Sequence, residues 1–142
     1  MKLESHKKAI AETLAEISSA LEDPRGLVSH QIRLASMLSV GTVNLIELFL
    51  HGKGILKEGA KIDHRWLKRE KENAKGQIIN ALITTKLPEE LDILLELART
   101  IEIDRDNLVY GMQVKEDTIL SRKINTCVEI KKNVGFEDEG DA

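Results

Sequence analysis

The run HQIRLASMLSVGTVNLIELFLHGKG, residues 30–54, decides the architecture of this chain. Its apolar residues, among them Ile32, Leu34, Leu38, Val43, Leu45, Ile46, Phe49 and Leu50, cover more than one stripe of a helix. A helix apolar around most of its girth must lie at the centre of a bundle or be shared with a second subunit. Upstream, Asp23-Pro24 reads as a cap followed by a proline at the first helical position. The helix is therefore expected from about Pro24 or Leu27 to Leu50, with His51-Gly52-Lys53-Gly54 stopping it. Gly41 in its middle costs about 1 kcal/mol relative to alanine, so close approach by another backbone is the expected compensation, with dimer packing as one candidate.

Working outward, Ile10, Leu14, Ile17 and Leu21 recur at spacings of four and three, which predicts a first helix over Leu3–Leu21. A third helix is expected from about His64 to Ile83, N-capped by Asp63, with Leu67, Ala74, Ile78 and Leu82 inward. After Pro88 a fourth should carry Leu91, Leu94, Leu95, Ala98, Ile101, Leu108 and Val109 inward and reach Tyr110-Gly111. The fifth runs from about Glu116 to Val134, with Leu120, Ile124, Cys127, Val128 and Val134 inward. The predicted fold is an all-α, up-and-down helical bundle of about five helices. It forms one domain over residues 1–136, and the acidic segment Glu137–Ala142 is expected to be a disordered tail.

Composition agrees: 142 residues, 42% hydrophobic and only 3% aromatic, suit one helical domain with a real core. The net charge of -3, from 21 basic and 24 acidic side chains, excludes a global pull toward nucleic acid or anionic lipid, so any RNA contact must be local. Cys127 is the only cysteine, which excludes an intrachain disulfide and a cysteine-based zinc site, and its apolar neighbours predict a buried small hydrophobe. The start of the chain lacks the apolar run of a signal peptide, and no stretch is expected to cross a bilayer uninterrupted by polar residues. A cytoplasmic protein with no membrane association is expected. His6, His30, His51 and His64 have no helical metal-site spacing, so no metal and no cofactor are expected.

The segment Arg105-Asp106-Asn107-Leu108-Val109-Tyr110-Gly111, closing the fourth predicted helix, resembles the signature of HEPN domains, small helical proteins known as RNA-cleaving toxins. That signature is an arginine, a polar residue and, a few positions on, a histidine. The resemblance implies metal-independent RNA cleavage in a cleft where two copies of the motif meet across a homodimer. The arginine would stabilise charge on phosphate and the polar residue would orient it, roles that map to Arg105 and Asp106. Tyr110 stands in the place of the histidine. A phenol with a pKa of about 10 is a poor general base at neutral pH, which predicts lost or weakened cleavage. Glu102, Asp104 and Asp106 would also repel phosphate.

The motif also has a structural account. Counting along the helix puts Arg105 on the inner face, within reach of a carboxylate such as Glu47, and spaces Asp106 and Tyr110 for a hydrogen bond. Asn44 and Glu47 would then specify register or dimer pairing or line a cleft, unless Glu47 points to solvent at the rim. His51 and His64 are the side chains that could bring proton transfer to that cleft. Lys61, Arg65, Lys68, Arg69, Lys71 and Lys75 form the most basic stretch, which Glu70 and Glu72 interrupt as expected of a solvated face.

The expected function is that of a binding or regulatory component with a disarmed nuclease motif. By resemblance it would belong to a toxin–antitoxin type module with a nucleotidyltransferase-like partner, where Tyr110 could be a modification site. The alternatives are an active ribonuclease using Arg105 with another proton-transfer residue, and a helical scaffold without a nucleic-acid role.

Overall fold

The computed structural model describes residues 3–111 and 113–137. The fold is an all-α helical bundle. Its helices are α1 (Leu3–Glu22), α2 (Gln31–Gly52), α3 (His64–Leu67), α4 (Lys71–Ile78), α5 (Glu90–Glu102) and α6 (Thr118–Val134). The expected acidic tail falls outside the described residues except for exposed Glu137.

Helix α2 is central: Leu34, Leu38, Leu45, Ile46 and Leu50 are almost wholly inaccessible and join Ile10, Leu91, Leu94 and Leu120 in one core. It runs antiparallel to α1, with His6 opposite Asn44 and Thr13 opposite Met37. Gly41 sits at their closest approach, where an added Cβ would fall 2.7 Å from both Oγ1 and Cγ2 of Thr13. The close approach at Gly41 is made within the chain, by the side chain of Thr13 on α1 rather than by another backbone.

Three expected boundaries are corrected. The Asp23 carboxylate does not cap a helix; it accepts from the Arg25 backbone and guanidinium in a tight turn. Of the two expected starts, Pro24 is not helical; helical structure begins at Leu27, after Gly26 at φ 86, as a 3-10 turn over Leu27–His30 that runs into α2 at Gln31. The predicted third helix breaks into α3, α4 and a 3-10 turn at Ile79–Ala81. Residues 68–73 contain no apolar side chain to hold a continuous stripe inward, and Glu70 is extended. Leu82 pairs with Leu56 in an isolated antiparallel bridge instead of extending a helix.

The fourth helix stops at Glu102, short of the arginine motif. The Lys123 ammonium of α6 donates to the carbonyls of Thr100, Ile101 and Ile103 at 2.8, 3.0 and 2.7 Å, satisfying acceptors that a continuing helix would have used. Ile103 is extended and Asp104 takes the left-handed conformation, φ 67. The chain then forms a π-helical turn over Asn107–Gly111, which buries Leu108 as expected.

The fifth predicted helix corresponds to α6, which ends at Gly135 in the left-handed conformation expected of a helix cap. Leu120, Ile124 and Cys127 are buried on it as predicted, and desolvation pushes the Cys127 thiol up to about 11. One stretch, Leu27–Gly52, is long and apolar enough on average to cross a membrane, with mean hydropathy 1.4, although Gln31, Arg33, Asn44 and Glu47 interrupt it. Of its most apolar window, 61% is buried inside the bundle, as a core helix requires.

Candidate functional site

The arginine motif lies in the irregular segment after α5. The Arg105 guanidinium donates to the Asp106 carboxylate at 3.0 Å, its side chain is 18% exposed, and its buried Nε makes no hydrogen bond. The pairing of Arg105 with Glu47 is not formed. Nor is the hydrogen bond between Asp106 and Tyr110: the π-helical turn carries Tyr110 outward to 80% exposure. Both expectations assumed that α5 continues through the motif, and Lys123 ends it first.

Glu102, three residues before Arg105, accepts from the Ser39 hydroxyl at 2.5 Å and from His64 Nδ1 at 3.0 Å while almost completely buried. A donating Nδ1 leaves the lone pair of His64 on Nε2, in a side chain 38% exposed. A buried carboxylate orienting a half-exposed imidazole is the geometry of a general base. Asp63 accepts from the Arg65 backbone, so it caps α3 at His64 as predicted, and the Arg65 side chain holds the Asp63 carboxyl down to about 2.

Asn44, Glu47 and His51 do come together, but at the other end of α2 from the motif and with His6 of α1. His6 donates through Nδ1 to Asn44 Oδ1 at 3.0 Å and lies 3.5 Å from Glu47 Oε2. Its ring meets that of His51 edge to face at 5.4 Å. Glu47 is 2% exposed and accepts from the Ile62 backbone at 3.1 Å, so it is not a rim carboxylate, and burial pushes its pKa up. His6 Nε2, Glu47 Oε2 and His51 Nδ1 are buried without a hydrogen bond. No hydrogen bond or ion pair links this cluster to Arg105. Among the described residues no group of three or more His, Cys, Asp or Glu is placed to hold a metal ion.

A third arrangement surrounds the start of α2. His30 donates from Nδ1 to Glu16 at 3.0 Å and from Nε2 to Asp23 at 2.9 Å, which raises its pKa. Gln31 donates to the Leu108 carbonyl and accepts from the Val114 backbone, both at 2.9 Å, clamping the π-helical turn onto α2. Between them lies an open groove of about 710 Å³ whose walls include Arg25, Val28, Ile32, Arg33, Val109 and Tyr110.

Among the described residues, three of the six side chains of the basic stretch are paired with carboxylates. Lys71 pairs with Glu96 at 3.2 Å and Asp92 at 3.8 Å, Lys75 pairs with Asp92, and Arg65 pairs with Asp63. Its partners are Asp92 and Glu96 of α5, Asp63 at the cap of α3 and, for Lys75, also Glu72 three residues earlier in α4.

Sequence reasoning missed Ser39, Glu102 and His6 as polar members of buried networks, and Arg33 and Gln31 as parts of a groove. Ser39 and Glu102 fall beside core residues Leu38 and Ile101, and a polar side chain inside an apolar stripe is the signal that could have found them. The chain matches no protein-family profile, and comparisons with curated proteins and with solved structures find no match either.

Proposed function

We propose that the chain is a HEPN-like, homodimeric, cytoplasmic protein whose nuclease motif is disarmed and which acts as a binding or regulatory component. The partner proposed for it is nucleotidyltransferase-like, as in a toxin–antitoxin type module. The observation that carries this reading is the opposite fate of the two motif ends: Arg105 is tied to Asp106 and covered, while Tyr110 stands free at the edge of a groove. A guanidinium already neutralised by a carboxylate is poorly placed to stabilise phosphate charge. An exposed aromatic beside arginine is the composition of a contact surface.

The test is incubation of the purified protein with mixed RNA in chelator, beside Arg105→Ala and Tyr110→His. The expected result is no cleavage by the parent protein. Cleavage that disappears in Arg105→Ala overturns the proposal, and cleavage gained only in Tyr110→His marks a retained but disarmed site.

A second reading, an active metal-independent ribonuclease, is favoured by the contact between His64 and Glu102 beside the motif. There His64 is the general base, and cleavage by the parent would be lost in His64→Gln. His51, held against His6, does not serve this reading.

A further inference from the structure

Two of the most exposed large hydrophobic side chains, Tyr110 at 80% and Ile32 at 60%, meet in the groove at the start of α2. Val28 and Val109 extend its apolar part. The described wall residues include two arginines and no carboxylate, in a chain where acids outnumber bases. Arg25 is already neutralised by Asp23 at 2.8 Å. Arg33 is exposed and has no carboxylate partner among the described residues. The walls are held in advance by Gln31 bonded to Leu108 and Val114, and by the Asp117 carboxylate accepting from the Val28 backbone. A site organised before binding loses little ordering entropy when it is filled.

These features decide between occupants. A nucleic-acid strand presents a row of phosphates and calls for several unneutralised cations, together with a polar surface. The groove offers one such cation beside an apolar floor. We propose that it binds a segment of a partner protein in which a carboxylate, Asp or Glu, lies close to an aliphatic or aromatic side chain. The apolar side chain seats against Ile32, Val28 and Tyr110, and the carboxylate pairs with Arg33. This rests on the binding reading above and names the surface and the chemistry of the partner.

The experiment follows backbone amide shifts of the full-length isotopically labelled protein on titration with short Gly-Ser peptides that contain a Leu cluster and, at varied spacing, either Glu or Lys. Expected are shifts concentrated at residues 28–33 and 108–111 with the Glu peptides. Affinity for the Lys peptides should be about threefold to fivefold weaker, the scale of one exposed ion pair. Arg33→Glu should reverse that preference, which loss of a merely structural side chain would not do, and Ile32→Asp should abolish the response.

Absence of shifts in those segments with every peptide overturns the proposal. So does a response there to oligouridylate but not to peptide. Conversion of a dimer to a monomer by Ile32→Asp would assign the groove to a second copy of the chain, and overturns it as well. RNA cleavage by the parent protein would sink the binding reading without altering the peptide shifts, so the two failures are separable.

Discussion

The two ends of α2 treat polar groups in opposite ways. At the N-terminal end, His30 has a carboxylate on each ring nitrogen, Gln31 bonds through both ends of its amide, and Asp23 accepts from Arg25, Ser29 and His30. At the C-terminal end, His6, Glu47 and His51 bury three polar atoms that make no hydrogen bond. The first end has its polar groups paired, and Arg33, which has no carboxylate partner among the described residues, lines a groove. The second is closed over polar groups whose desolvation costs about 1–3 kcal/mol each when unpaired. An end of a helix that satisfies its own polar groups can offer a surface to something else. An end that does not depends on every partner it has.

That contrast is most easily broken at Glu47. Glu47→Ala leaves the Ile62 N–H and the His6 imidazole without their buried carboxylate and should lower unfolding free energy in urea by roughly 3 kcal/mol. Arg33→Ala, at the other end, should change it by no more than about 0.5 kcal/mol. Equal losses would remove the distinction between the ends.

The middle of the helix offers a smaller effect. Gly41→Ala drives a methyl group into Thr13 and should cost about 1–3 kcal/mol. Thr13→Ala in the same chain should restore part of that loss, because it removes the two nearest atoms. If Gly41→Ala were neutral for stability yet abolished dimerisation, the close approach would belong to a second subunit instead.

The smallest expected effect separates the ends by pH. Paired with Glu16 and Asp23, His30 has a pKa raised above 6.5, so its stabilisation is full below that value and fades as pH rises through the raised one. Burial raises the Glu47 pKa above 4.5, so its contribution likewise fades with rising pH, but from the acid range upward. Compared with the parent protein, urea midpoints should fall less with rising pH on the alkaline side in His30→Gln and on the acid side in Glu47→Gln. A slope left unchanged by the matching substitution would show that the assigned group does not contribute to it.

From the residues alone, the class and the centre of this protein were legible. The three-and-four spacing of apolar side chains marked α1, α2, α5 and α6, and the density of the run at 30–54 made α2 the core helix, because burial of an apolar stripe depends on local periodicity. Asp63 as the cap of α3 and Cys127 as a buried side chain were equally local inferences. What the motif does was not local. Lys123, some twenty positions further on, caps the end of α5, and Arg105 lies beyond that end, paired with Asp106 rather than Glu47. His64 and Ser39 meet on Glu102 from two other helices, and His6 completes a cluster with residues far along the chain. Spacing along one helix carries no information about which side chains from other helices arrive to cap it or pair with it, so only the packed bundle decided where each polar group would find its partner.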